Sequence, residues 1–278
     1  MAGQGRTLRR QNLLVFGATA AAGAIGLGLW LARGAARTEE AITYPPVDVP
    51  KSLADNVWIV DSGPISAMGL KLPVRMVVVR LKDGSLLLHS PTRYTPNLGH
   101  ALEALGTIRH LVAPTLAHWM FLKEWQNAYP DAKTWGVPAL CDRAQVRAAG
   151  VRIDVDLGEQ APNGWSGEIE QGIVRGGGFE EAWFHHRASR TLLLADLIEN
   201  LEPAKLPPIT AAAMRASAAT RATTGLHVRA ALALGGGAAR EAIKAMLSTD
   251  PETVIFAHGK PFTEDAAAQL RRAFAWLG

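Results

Sequence analysis

The sequence predicts an α+β fold of αββα type, in which two β-sheets pack face to face with helices outside. Three observations carry this expectation. Strand-like runs dominate the start of each half of the body, and helical runs follow them. The early strands are joined by Lys82-Asp83-Gly84, a hairpin signal that a doubly wound sheet does not place between its first strands. No glycine-rich phosphate loop follows the first strand, and Gly176-Gly177-Gly178 lacks nucleotide-binding spacing.

From the N-terminus, Gln11 to Ala32 is a run of 22 residues without a charge, bounded by Arg10 and Arg33. At about 1.5 Å per residue, some 20 such residues span a bilayer core. Residues 1–36 therefore read as a transmembrane helix that anchors the chain, or as a cleaved signal peptide with Gly34-Ala35-Ala36 as the small-residue site. Thr7 to Leu14 also resembles a twin-arginine export signal. The arginines before the run favour a cytoplasmic N-terminus, so the body is expected anchored to the cell membrane or exported, on the non-cytoplasmic side. Residues 37–52, with Tyr44-Pro45-Pro46 and Pro50, read as a linker. The body occupies residues 53–278.

Within the body, Val57–Val60, Arg75–Leu81 and Ser85–His89 read as strands. Asn97–Leu105 has helical spacing and stops at Gly106; Ile108–Ala113 is a buried-strand run stopped by Pro114. Phe121–Tyr129 is a second helix, Ala132–Val137 a short strand, and Cys141–Ala149 a third helix. In the second half, Ile153–Leu157 alternates like a half-exposed strand, and Glu168–Val174, Glu181–His185 and Thr191–Asp196 follow as strands. Residues 203–249 are mostly helical, interrupted at Gly235-Gly236-Gly237. Thr253–Gly259 is the last strand and Thr263–Leu277 the closing amphipathic helix.

Composition narrows the function. Hydrophobic residues make up 48% of the chain, enough for an extensive core. The net charge is +4, but residues 1–38 hold five arginines and no acid, which leaves the remainder at −1. The body thus has no electrostatic footprint for nucleic acid. A single cysteine, Cys141, excludes an intrachain disulfide and a cysteine-rich metal site.

The chemistry-bearing residues stand where strand patterns run into loops. His118, Asp196 and His258 are the main ones, and two imidazoles with a carboxylate from separate strand ends can hold a metal ion with one position open to water. His185 and His186 point to opposite faces of their strand. His186, Arg187 and Arg190 form a candidate anion or substrate site, with a solvated strand edge as the alternative. His110 lies mid-strand and reads as structural. Ser90 has no base in fixed sequence relation to it.

His89-Ser90-Pro91, Leu111-Val112-Ala113-Pro114 with His118, the run Phe184 to Leu192 leading to Asp196, and Ala257-His258-Gly259 are similar to segments of the metallo-β-lactamase superfamily. More narrowly, the chain resembles domain-of-unknown-function family 4336 over about residues 53–277. The resemblance implies a metallo-β-lactamase-like αββα sandwich. In that superfamily a strand end carries His-x-His-x-Asp-His. Here its last histidine falls on His118, while Ala113, Thr115 and Ala117 take the other three positions. Asp196 matches the bridging carboxylate and His258 the final histidine. The resemblance therefore implies a degenerate, mononuclear site of His118, Asp196 and His258, holding one zinc, iron or manganese ion, and a metal-dependent hydrolase of some small molecule. The alternative it leaves open is a binding or scaffold protein on the same fold, without metal or catalysis.

Overall fold

Two sheets carry the fold in the computed structural model, which describes residues 39–278. The first has seven strands in sequential order: β1 (Lys51–Ala54), β2 (Val57–Ala67), β3 (Leu70–Arg80), β4 (Ser85–His89), β5 (Thr107–Ala113), β6 (Lys133–Gly136) and β7 (Val155–Asp156). Strands β1 to β4 pair antiparallel, and β4 to β7 pair parallel. The second sheet has four strands in the order β11 (Thr253–Ile255), β10 (Thr191–Leu193), β9 (Phe179–His186) and β8 (Ile169–Gly176). Among the described residues there are eight α-helices: α1 (Glu39–Ile42), α2 (Pro96–Glu103), α3 (Leu122–Ala128), α4 (Pro138–Cys141), α5 (Ala144–Ala148), α6 (Pro208–Ala216), α7 (Leu226–Leu247) and α8 (Ala266–Ala273).

Side-chain alternation divides the second sheet between two cores. Ile173, Phe184, Leu193 and Ile255 join the core shared with Val77, Leu87, Leu111 and Val112 of the first sheet. Their chain neighbours Val174, Trp183, Leu192 and Val254 face outward and pack with Val228, Leu232, Ile243 and Leu270 of α7 and α8. A period of two along each strand thus builds the two inner layers and one outer layer. On the other side, Leu98, Leu102, Leu122 and Trp125 of α2 and α3 are fully buried against the first sheet.

The glycine runs have one joint explanation. A Cβ on Gly176 would lie 2.4 Å from the carbonyl oxygen of Ala231, and one on Gly235 would lie 2.4 Å from that of Arg175. Helix α7 therefore lies against the end of β8 at backbone distance, which only glycine permits. Gly236 then kinks α7 with φ of 56°.

Several boundaries differ from the sequence reading. The expected helix Cys141–Ala149 is two short helices, because Pro138 starts α4 early and Arg143 adopts an extended backbone between them. The strands expected to reach Asp196 and Gly259 end at Leu193 and Ile255, where pairing stops and the site loops begin. Residues 37–52 are not a bare linker: α1 buries Ile42 completely, and Lys51 already pairs in β1. The membrane or signal helix expected over residues 1–36 lies outside the described residues. Among the described residues, no helix is long and apolar enough to cross a membrane.

Candidate metal centre

Three strand ends meet at one edge of the sandwich. His118 lies five residues beyond β5, Asp196 three beyond β10 and His258 three beyond β11. Strands β10 and β11 are parallel with Thr191 opposite Thr253, and continuing that register sets Asp196 opposite His258. Oδ1 of Asp196 is 3.1 Å from Nε2 of His118 and 3.5 Å from Nε2 of His258. Each of the three residues offers a ligand atom, and these atoms all lie within 4.8 Å of one another.

Both rings are oriented from behind. Nδ1 of His258 donates to the Pro73 carbonyl at 2.8 Å, because a carbonyl can only accept. The neutral ring then has its lone pair on Nε2, facing Asp196. Nδ1 of His118 is hydrogen-bonded to Ser90 Oγ. Ser90 holds φ of 57°, a left-handed backbone that is uncommon outside glycine and that occurs at sites where a side chain must be aimed. Thr115 donates from Oγ1 to Oδ2 of Asp196 at 3.0 Å and accepts from the N–H groups of Ala117 and His118. One hydroxyl thus fixes both the carboxylate and the turn that carries His118.

The loops themselves are pinned from deeper residues. The fully buried Glu181 accepts the N–H groups of Ala195, Asp196 and Leu197 at 2.7, 2.7 and 2.8 Å, closing the turn that presents Asp196. Arg75, 3% exposed, donates to the carbonyls of Phe256 and Gly259 at 3.2 and 2.7 Å, and so brackets His258. Its charge is met by buried Asp61 at 2.7 Å. Gly259 has φ of +99°, and a Cβ there would sit 2.1 Å from the Asn200 carbonyl oxygen.

The electrostatics favour a cation. Burial raises Asp196, but the charges and hydrogen bonds of His118 and His258 outweigh it and hold the carboxyl well below its ordinary value. Burial opposes protonation of His258, and its hydrogen bond to Asp196 outweighs that and raises it. Burial and the Asp196 charge push Glu181 up to about 8 against its three N–H donors. Burial also pushes Glu199 up to about 7, with His258 opposing and Asp196 adding to the rise. Burial lowers His227, and Asp196 acts against that. None of the leading causes of these shifts is a lysine or arginine. Buried Glu181 is met by three backbone N–H groups, and half-buried Asp196 by the imidazoles of His118 and His258. Two imidazole nitrogens and a carboxylate oxygen, with buried negative charge behind them, fit a divalent cation.

His186, Arg187 and Arg190 are not brought to this centre. They occupy the β9–β10 turn, at the opposite end of β10 from Asp196, roughly 15 Å away at about 3.3 Å per residue. His186 bonds Ser189, Arg187 pairs with Glu170, and Arg190 pairs with Asp250 and Glu252. These are hairpin residues with partners of their own, apart from the His118, Asp196 and His258 centre. His110 is structural, its Nδ1 accepting from Trp135 Nε1 at 3.2 Å. Sequence reasoning missed Glu181, Glu199, His227 and Arg75, and it missed that Ser90 meets His118 and that Thr115, at a motif position without histidine, holds Asp196. The first four stand in no motif, and only the fold brings them to the site.

Residues 54–233 match the family described as "Domain of unknown function (DUF4336)". Among solved structures, the chain is similar to the DIM-1 metallo-β-lactamase exposed to ceftazidime, at 14% identity and a TM-score of 0.55, over 82% of this chain and 97% of that one. A metallo-β-lactamase from Pontibacter korlensis is similar at 12% identity and a TM-score of 0.53, over 81% and 98% of the two chains. The mono-zinc form of the metallo-β-lactamase FIM-1 from Pseudomonas aeruginosa is similar at 12% identity and a TM-score of 0.53, over 82% and 95%. Comparison with curated protein sequences finds no match.

Proposed function

This protein belongs to the DUF4336 family and has the metallo-β-lactamase fold, and from that premise we propose that it is a mononuclear metal-dependent hydrolase of a small molecule. The observation that carries the reading is the convergence of His118 Nε2, Asp196 Oδ1 and His258 Nε2 at one site. A divalent ion such as zinc, iron or manganese would supply Lewis acidity there and lower the pKa of a water it binds.

The chain's own residues do the rest. Pro73 and Ser90 hold the two rings with Nε2 facing inward. Thr115 engages Oδ2 of Asp196, so a single carboxylate oxygen faces the site, which supports one ion rather than two. The Asp196 side chain is 22% exposed against 8% and 7% for His118 and His258, so the open side of the site is the carboxylate side. For location, the uncharged run Gln11–Ala32 and its flanking arginines support a membrane anchor or export signal, with the body on the non-cytoplasmic side.

A competing reading is a non-catalytic binding or scaffold protein. The observation that favours it is Ala113, Thr115 and Ala117 in place of the superfamily's other ligands and aspartate. Hydrolysis of chromogenic ester, phosphodiester and lactam probes by zinc-reconstituted protein separates the two. The hydrolase reading expects turnover of at least one probe, abolished by chelator and by His258→Ala. Zinc-loaded protein inert to all three classes favours the scaffold.

A further inference from the structure

We propose that the outer face of α7 docks on a bilayer surface that contains anionic phospholipid, with Arg229 and Arg240 at headgroup level. This rests on the membrane reading of residues 11–32 and is independent of the hydrolase reading.

Charge is spread unevenly along the body. Residues 203–240 contain Lys205, Arg215, Arg221, Arg229 and Arg240 and no acidic residue, which puts +5 on this segment and −6 on the rest of residues 39–278. Among the described residues, none of these four arginines pairs with a carboxylate, whereas Arg175, Arg187, Arg190 and Arg271 each do. Arg229 is held in place by neutral groups instead. Its Nε donates to the Thr224 carbonyl at 2.9 Å and an Nη to Thr223 Oγ1 at 2.8 Å, and its guanidinium lies 5.1 Å from the centre of the Trp276 ring. Its charge is thus positioned without being neutralised, and Arg221 adds like charge nearby. Such a cluster attracts an anionic surface.

The same face is apolar where it meets solvent. Leu226 is 50% exposed and Leu234 80%, and Ala230 and Ala233 between them are exposed as well. At 3.6 residues per turn these four positions share one side of the helix, with Arg229 at its margin. Val228, Leu232 and Ile243 occupy the inner side and fill the core. A helix that is apolar inward needs no leucines outward, so the outer pair calls for a second contact. Leucines flanked by arginines on a surface helix are the pattern of an interfacial membrane contact.

Beside the Gly236 kink lies a groove of about 750 Å³, lined by Arg229, Ala233, Gly237, Arg240, Trp276 and Leu277. It sets two arginines beside an indole and aliphatic walls. That combination fits a phosphate headgroup with the start of its acyl chains. Chain length permits the contact. Residues 33–38 join the uncharged run to Glu39. Fully extended, that link reaches about 25 Å, so a body tethered by the run starts close to the bilayer.

The test uses the full-length chain with Cys141→Ser, which removes the one native cysteine. The protein is reconstituted into phosphatidylcholine vesicles with or without phosphatidylglycerol. A fluorophore is attached at Leu234→Cys, and nitroxide-bearing lipid is the quencher. Asn127→Cys, exposed on α3 outside the other sheet, is the control. With phosphatidylglycerol present, the label at 234 should be quenched about twofold or more beyond the label at 127. Arg240→Gln should lower the ratio of docked to free protein about fivefold. Equal quenching at the two positions, in protein that floats with the vesicles, overturns this inference alone. Quenching at 234 that is the same with and without phosphatidylglycerol also overturns it, because the arginines would then have no part. A full-length chain that floats with neither vesicle overturns it together with the membrane reading.

Discussion

The hydroxyl of Thr115 donates to Oδ2 of Asp196 at 3.0 Å, while His118 and His258 both face Oδ1. One oxygen of the carboxylate is committed to the protein and the other to the site. A second ion would have to displace the Thr115 bond. The expected stoichiometry is therefore no more than one ion per chain at saturating zinc. Thr115→Ala, which frees the carboxylate to rotate, should weaken zinc binding about 10–100-fold in a chelator competition. An unchanged affinity would show that Thr115 does not orient the ligand.

Arg75 ties β3 to the carbonyls of Phe256 and Gly259, on either side of His258, and pairs with Asp61 in the interior. Removing it leaves both buried carbonyls without this donor, while Asp61 keeps its ion pair with Lys51. Arg75→Met should cost about 1–3 kcal/mol in urea unfolding. It should also loosen the His258 loop, so zinc affinity falls with it. A cost under about 1 kcal/mol would mean that the clamp contributes little beyond the sheet pairing.

Glu199 gives the metal-free protein a distinctive pH dependence. Its folded carboxyl is raised to about 7 from 4.5, so the folded state keeps a proton that the unfolded chain gives up. Stability from this group is complete below about 4.5 and is lost as pH rises through about 7. Asp196 acts oppositely: its lowered carboxyl adds stability above 3.8 that is lost on acidification. Urea midpoints of chelator-stripped protein should decline from about pH 5 to pH 8, and Glu199→Gln should flatten that decline by up to about 3 kcal/mol. Parallel profiles would contradict the assignment.

The β9–β10 turn serves as a control. His186→Ala, Arg187→Ala and Arg190→Ala should leave zinc affinity within twofold of wild type, because β10 separates them from Asp196. The exposed ion pairs of Arg187 and Arg190 predict stability losses of about 1 kcal/mol or less for those two variants. A tenfold loss of affinity in any of the three would return them to the site.

Local signals made the first sheet legible. Strand β4 was read residue for residue, since Asp83-Gly84 precedes it and Leu86-Leu87-Leu88 fills it. The convergence of His118, Asp196 and His258 was legible because each follows an apolar run that reads as a buried strand. What supports them was not. Thr115, Glu181 and Arg75 act across 81, 16 and 184 residues of sequence at their most distant contacts, through pairings that no local pattern encodes. The role of Glu181 depends on β9 lying beside the β10 turn. Arg187 and Arg190 misled for the complementary reason. A basic cluster near a candidate ligand in sequence reads as site-facing, whereas the hairpin turns it to Glu170, Asp250 and Glu252.

The central claim is that His118, Asp196 and His258 together hold one divalent ion, and metal content tests it most directly. The protein is purified without chelator or affinity nickel and analysed by elemental mass spectrometry beside His118→Ala and His258→Ala. The account predicts about one zinc, iron or manganese ion per wild-type chain and almost none in either variant. Folded wild-type protein that stays metal-free after all three ions are offered would contradict it.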